Sequence, residues 1–282
     1  MRSAVTICLV PEARQGPFVF HGTAADGGLV AGCRCAAELG FDAVEVFPES
    51  AAAFPAAQLP RLLADHGLAL AAVGTGAGWV KHRLHLCHAD PAVRASAREF
   101  IGGIVDVAGG LAAPAIIGSM QGSATAEVPR EAALDHLAAA LDELGGRAAR
   151  HGQVLLYEPL NRYETNLFNR QAEAAAFVAA RGLRHVKLLC DLFHMNIEEV
   201  GVAAALAAVG PHVGHVHWAD SNRLAMGFGH TDPRPVVAAL RAIGYQGFLS
   251  AEVFPQPTAA DAARRTIDSM RDVGAVAHRT GG

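Results

Sequence analysis

Four apolar runs in the second half of the chain each end in a side chain able to hold a metal ion: Glu158 in LLYEP, Asp191 in LLCDLFH, His217 in HVHWAD and Glu252 in SAEVF. The spacings are 33, 26 and 35 residues, about one β/α unit apiece. If those runs are neighbouring parallel strands, their ends converge on one point. Three carboxylates aimed at each other repel unless a cation lies between them or some take up protons. Singly, each residue has an ordinary explanation. An Asp or Glu after a strand caps the next helix or pairs with a loop cation, and a His in an apolar strand is a hydrogen-bonded core residue. Four on successive strands favour a shared site. Carboxylates with one imidazole suit a six-coordinate divalent ion, Mn²⁺ first, with Co²⁺ or Mg²⁺ as alternatives. Zn²⁺ would prefer more nitrogen or sulfur, and the His disfavours Ca²⁺.

A second polar residue follows three of these at short offset: Glu164 in EPLNRYE, His194 in DLFHM and Arg223 in HWADSNR. Arg223 offers a fixed cationic fork to an oxyanion. Glu164 and His194 could hold hydroxyls of a polyol, and Glu164 and Arg223 alternatively serve as loop salt-bridge partners. His82, His85 and His88 in KHRLHLCH are spaced by threes, which invites a second metal site. With Asp90 better used as a cap, a substrate-side lid is the stronger reading. Phe18, Phe20, His21 and Trp79 are candidates for lining a pocket. Glu45 is a pocket residue or a structural acid, and His230 and Asp232 lie close enough to touch substrate or ligands.

The elements that must position these side chains repeat with regularity. Strands are expected near 3–10, 42–47, 68–74, 114–118, 153–158, 185–191, 212–218 and 247–253. Helices are expected near 24–39, 55–66, 91–109, 129–151, 170–181, 197–208, 233–243 and 258–274. Asp90-Pro91 and Asp232-Pro233 read as N-caps followed by proline at the first helical position. Gly40, Gly67, Gly152, Gly182 and Gly244 follow helical stretches, where a left-handed cap is wanted. Eight β-then-α units in 282 residues are the count of a (β/α)₈ TIM barrel, here one catalytic domain over 1–282. Strands apolar on both faces suit a parallel sheet covered by helices. A doubly wound sheet lacks its usual support, since no GxGxxG follows the first strand.

Composition narrows the rest. Hydrophobic residues make up 51% and charged residues 18%, with mean hydropathy +0.24, so the chain can bury a large core. A formal charge of −4 argues against a surface built for nucleic acid or anionic membrane. The N-terminus reads as a strand rather than a signal peptide, and no apolar run is long enough to span a bilayer. A cytoplasmic location is expected. The five cysteines, without a CxxC pair, read as reduced thiols packed as small apolar side chains.

The runs YEPLNRYE, DLFHMNIEE, HVHWADSNR and GFGHTD, with AEVF, resemble the xylose-isomerase-like TIM-barrel superfamily of sugar isomerases and epimerases. Within it the resemblance is greatest to ketose 3-epimerases of the D-tagatose and D-psicose type. It covers the last four strands and, more weakly, FDAVEVF of the second. It implies a divalent-metal-dependent isomerase of carbohydrate metabolism that inverts C3 of a free ketose through a cis-enediolate. Glu158, Asp191, His217 and Glu252 would be the metal ligands, Glu158 and Glu252 also the acid and base, and Glu164, His194 and Arg223 the substrate contacts. A small sugar is then the partner, and a homo-oligomer (dimer or tetramer) is expected. An aldose–ketose or hydroxypyruvate isomerase, or an inosose dehydratase, would use the same metal site. Apurinic endonucleases share the fold, but their three-zinc cluster needs histidines where the third and fourth strands here read AVGTG and IIGSM.

Overall fold

The computed structural model describes residues 1–22 and 28–277. Eight parallel strands close into a barrel: β1 (Arg2–Cys8), β3 (Ala43–Phe47), β4 (Ala69–Gly74), β5 (Ala115–Ile117), β6 (Leu155–Tyr157), β7 (Val186–Asp191), β8 (Val213–His217) and β9 (Phe248–Ala251). β1 pairs β9 through Arg2–Val5, which closes the cylinder. The two-residue β2 (Phe20–His21) pairs with Ile7 and Cys8, where β9 leaves off. Parallel pairing with a helix after each strand is the expected (β/α)₈ TIM barrel.

Period-two alternation sorts each strand between two cores. Val5, Ile7, Val44, Val46 and Leu188 face the helices and join the large outer cluster. Inside, the barrel floor is small: Ala4, Ala43 and Ala71 pack around Phe248, over whose ring the Arg2 guanidinium lies 3.8 Å from the centroid. Above that floor Ala72, Ile116, Leu156 and Leu189 form a second layer. The inward positions two residues beyond Leu156 and Leu189 are Glu158 and Asp191.

Helices α1 (Gly28–Leu39), α2 (Leu59–Asp65), α4 (Pro91–Gly110), α5 (Arg130–Ala149), α6 (Gln171–Ala180), α8 (Val202–Val209), α9 (Pro233–Ala242) and α10 (Ala259–Asp272) surround the barrel. Residues 24–27 of the first expected helix lie outside the described residues. Asp90 and Asp232 cap as the sequence implies, accepting from Ala92 N at 2.8 Å and Arg234 N at 3.1 Å. The five capping glycines all have positive φ, from 61° to 81°.

Two helices escape the sequence reading. α3 (Ala77–His82) sits in the loop after β4, and α7 (Leu192–Glu198) starts directly on the last residue of β7. The helix expected over 197–208 starts later, as α8 at Val202, and the unexpected α7 precedes it at a bend of 108°. The Asp191 carboxylate starts α7 by accepting from Phe193 N at 2.7 Å. Glu199 leaves helical geometry to accept from Gln171 N at 2.8 Å. No single helix among the described residues is long and apolar enough to cross a membrane.

All five cysteines are free. Burial pushes the thiols of Cys8, Cys33 and Cys87 up to about 12, and burial raises Cys190 as well. Cys35 alone is not buried. Because the thiolate is the reactive form, Ellman's reagent at pH 8 should modify one thiol rapidly in the native protein and all five after unfolding. Rapid native modification of three or more would contradict this packing.

Candidate active site

The ends of β6, β7, β8 and β9 bring Glu158, Asp191, His217 and Glu252 together. One ligand-competent atom from each lies within 4.8 Å of the others. His217 Nδ1 is 3.6 Å from Glu158 Oε1, 3.5 Å from Asp191 Oδ2 and 3.8 Å from Glu252 Oε2. All four residues are buried. Glu158 Oε1, Asp191 Oδ2 and His217 Nδ1 have no hydrogen-bond partner, which is costly for buried polar atoms unless something between them is bound. A divalent cation fits this donor set, since three oxygens and an imidazole nitrogen point at one place. Asp191 serves two purposes: Oδ1 caps α7 while Oδ2 faces the cluster.

Without a cation, protons must relieve the repulsion. Burial, reinforced by Glu252 and Asp191, raises the Glu158 carboxyl to about 8 despite the opposing pull of His217. Burial also raises Glu252, against His217 and Arg223. Asp191 goes the other way: burial is outweighed by His194 and His217, which hold it at about 2. Burial would depress His217, yet Glu45, Asp191 and Glu158 raise it well above the usual imidazole range.

Glu45 is the support under His217. From β3 it accepts from His217 Nε2 at 3.1 Å and from His215 Nε2 at 2.8 Å. A carboxylate only accepts, so both rings carry their proton on Nε2, and His217 Nδ1 is left free for the cluster. Of the two sequence readings for Glu45, the structural acid is right. It is fully buried beneath the site and does not line the cavity. Burial would raise its carboxyl, but His217 and His215 hold it below the usual range.

The three substrate-contact candidates gather around the same cluster. Arg223 Nη2 donates to Glu252 Oε2 at 2.7 Å, and Nη1 lies 3.6 Å from Glu164 Oε1. The salt-bridge reading of this pair is thus satisfied at the mouth of the site itself. His194 Nδ1 accepts from Asn161 N at 3.2 Å and faces Asn161 Nδ2 at 2.8 Å. That leaves Nε2 as the proton-bearing nitrogen, buried, without a partner, and 3.9 Å from Glu158 Oε1. Burial lowers the pKa of this imidazole, so it is a neutral donor aimed at the cluster.

A cavity of about 390 Å³ opens over these groups. Glu158 and Glu252 line it, with Glu164 and Arg223; Asp191 and His217 do not, and neither does His194, which is buried behind it instead of making the expected substrate contact directly. The opposite wall is built from the first half of the chain, with Phe18, Phe47, Trp79, Val80, Thr75 and Ser119 prominent. Phe18 and Trp79 are where the sequence reading put them, whereas Phe20 and His21 do not line the cavity. Neither do His82, His85 and His88. The loop faces the cavity through Trp79 and Val80, and among the described residues these histidines join no ligand cluster. His230 is exposed and Asp232 is engaged as the α9 cap.

Three further contributors went unread in the sequence. Gly118 lies so close to Glu158 that a Cβ there would sit 2.5 Å from Oε2. Gln121, fully buried, donates to the carbonyls of Gly118 and Glu158 at 2.9 Å each and accepts from Tyr157 Oη at 2.7 Å. Asn161 links Glu164 to His194. The SMQG and PLN segments carry no period that marks them as site residues.

A closed parallel barrel with an acid–imidazole cluster at the strand ends and a cavity above it defines a class of barrel built around one reactive centre. The chain belongs to the Xylose isomerase-like TIM barrel family, whose profile matches residues 33–273. It is 31% identical over 241 residues to the L-ribulose 3-epimerase of Mesorhizobium japonicum, covering 84% of this chain and 79% of that protein. A shorter stretch is 42% identical over 102 residues to the 3-dehydro-D-guloside 4-epimerase of Escherichia coli, covering 36% of this chain and 39% of that protein. That match therefore spans under half the relative's length. Among solved structures, the D-allulose 3-epimerase of Methylomonas sp. in complex with D-allulose superposes with a TM-score of 0.80 at 25% identity, covering 96% of this chain and 97% of that one.

Three measurements check the site. Mn²⁺ at about 100 times its Kd should stabilise the chelator-treated protein by about 2.7 kcal/mol, raising Tm by about 5–10 °C. Glu158 keeps its proton up to about 8 and His217 is raised well above the usual imidazole range; binding must expel these protons, so affinity should rise with pH throughout 6 to 8. An affinity independent of pH between 6 and 8 would contradict the assignment. Glu45→Gln supplies an amide N–H where one histidine now donates, and it should weaken Mn²⁺ binding about 10- to 100-fold with the barrel intact by circular dichroism.

Proposed function

We propose that this protein is a divalent-metal-dependent epimerase that inverts C3 of a free ketose. The observation that carries the reading is the placement of Glu158 and Glu252: both belong to the four-residue cluster and both line the cavity, from β6 and β9. The full-length resemblance to ketose 3-epimerases supports it.

The proton on C3 of a ketose is poorly acidic until the C2 carbonyl is polarised. A divalent ion held by Glu158, Asp191, His217 and Glu252 would supply that polarisation as a Lewis acid. Mn²⁺ suits the donor set, with Co²⁺, Mg²⁺ or Zn²⁺ as alternatives. One glutamate removes the C3 proton, and the C–H electron pair moves toward O2 to give a cis-enediolate. The other glutamate delivers a proton to the opposite face of C3, the C2 carbonyl re-forms, and the configuration at C3 is inverted. Working in both directions requires two groups able to hold and release a proton near neutral pH. In the metal-free cluster burial raises both Glu158 and Glu252, which opposes the downward pull of a bound cation on their proton affinity.

The neighbours divide the remaining work. Arg223, bonded to Glu252 and close to Glu164, brings positive charge to where O2 becomes an oxyanion. The partnerless Nε2 of His194 lies 3.9 Å from Glu158 Oε1 and 3.8 Å from Asp191 Oδ2, behind the cavity wall. Glu164 faces the sugar hydroxyls. The apolar wall of Phe18, Phe47, Trp79 and Val80 excludes water from the enediolate.

The deciding experiment is turnover of a panel of free ketoses, D-psicose and L-ribulose among them, in D₂O, before and after chelation and with Mn²⁺ or Co²⁺ restored. Deuterium should enter at C3, only with metal present. Label at C1 or C2 would make the protein an aldose–ketose isomerase instead. Glu158→Gln and Glu252→Gln should each lower kcat by at least about 100-fold; full activity in either would reject its role.

A further inference from the structure

The loop from Trp218 to Asp232, between β8 and α9, is open to solvent at Gly227, Phe228, Gly229 and His230, yet it encloses a fully buried carboxylate, Asp220. Oδ1 accepts from Ser221 N at 2.7 Å and Thr231 N at 3.0 Å; Oδ2 accepts from Gly227 N at 2.7 Å and Gly229 N at 2.8 Å. Four backbone donors fill the four acceptor positions of one carboxylate. The GFGHTD run supplies three of them and is shaped for it. Gly227 has φ of 100°, and a Cβ on Gly229 would stand 2.5 Å from Asp220 Oδ1. Neither Asp220 nor any of the four residues that donate to its carboxylate lines the cavity, so the metal and proton chemistry does not account for that carboxylate.

Arg223 is what this loop carries. Its N–H donates to Asp220 O at 2.9 Å, Asp220 N donates to Leu224 O at 2.9 Å, and Phe254 N donates to Arg223 O at 2.9 Å. Arg223 itself has φ of 61°, a left-handed conformation that a non-glycine residue keeps only where its surroundings impose it. The outcome is a half-buried guanidinium against Glu252 and Glu164, its Cζ 5.0 Å from the Phe193 ring centroid.

We propose that Asp220 is a positioning residue: by gathering four backbone N–H groups of the β8–α9 loop, it fixes the left-handed turn that presents Arg223 to the reacting oxygen. The role assumed for Arg223 rests on the function proposed above; the organisation of the loop does not.

Asp220→Asn preserves size but turns two of the four N–H acceptor contacts into donor–donor contacts. Hydrogen exchange at Gly227, Gly229 and Thr231 should accelerate at least about tenfold, while the barrel strands and Mn²⁺ affinity stay unchanged. Arg223 should become open to phenylglyoxal, read by peptide mass spectrometry. In turnover, kcat should fall about 100-fold with little change in KM. Combined with Arg223→Lys the loss should be no greater than for Arg223→Lys alone, as for two residues acting through one group. Gly229→Ala, which crowds Oδ1, should reproduce the exchange and labelling changes if Asp220→Asn fails to fold. Unchanged loop exchange and an unreactive Arg223 in the variants would overturn the proposal, as would additive losses in kcat. Should the wild type turn over no ketose, the exchange and labelling results still decide the positioning role, and only the proposed function falls.

Discussion

Repulsion among buried carboxylates is the constraint that the rest of this structure serves. Glu158, Asp191 and Glu252 are buried and converge on His217. Two unit charges about 4 Å apart repel by about 4 kcal/mol at an effective dielectric of 20, so three such acids would splay apart on a pliant scaffold. A closed barrel cannot splay. Each strand end is locked on both sides by its neighbours, with Asp191 in register with His217 and His217 with Ser250. The repulsion is therefore available to bind a cation, or to add to the burial that raises Glu158, while the same carboxylates raise His217 by attraction.

Rigid strands place the Cα atoms, but the side chains need their own supports, and each comes from a different element. Glu45 on β3 fixes the tautomer of His217 on β8. Asn161, after β6, fixes that of His194 on α7. Gln121, after β5, ties down the backbone of Glu158, and Asp220 does the same for Arg223. These supports are buried polar groups with their hydrogen bonds satisfied, a state that rigidifies a site rather than weakening the core around it. Where satisfaction stops is informative. The buried atoms of the cluster left without partners face one another, and so does His194 Nε2.

How much of this could be read from the sequence follows from where the signals sit. The ligand set was legible because each member closes an apolar run and the runs recur at the spacing of one β/α unit. The capping Asp and Gly residues were legible because helix ends have strict local chemistry. α7 was not, since the residue that starts it, Asp191, was already read as a strand end with one purpose, and a single carboxylate has two oxygens for two tasks. Glu45 carried a usable signal: it alternates with Ala43 and Phe47, which places it on the inward face of its strand. Only the three-dimensional closure of the barrel reveals that this face lies against His215 and His217. Asp220 was hidden for a similar reason, its donors lying up to eleven residues downstream in a glycine-containing run that reads locally as a loop.

The cavity brings two kinds of surface together, and their difference assigns them separate work. Its charged end comes from the strands of the second half, where the reacting carbon must lie. Its other wall is aromatic and aliphatic and comes from the first half. Phe47 reaches that wall because Gly74 leaves it room: a Cβ at Gly74 would fall 2.1 Å from the Phe47 ring. The ring then packs on Phe18 with centroids 4.6 Å apart. Groups this apolar offer no hydrogen bonds to hydroxyls, so they discriminate by shape and by what they keep out. An enediolate is protected from stray protonation only where water cannot reach it. The polar side chains that line the cavity are Glu158, Glu164, Arg223 and Glu252 at one end and Glu12, Gln15, Thr75 and Ser119 among the apolar groups of the other. The acid–imidazole cluster and the aromatic wall thus come from different halves of one barrel, so the wall could change without disturbing the cluster.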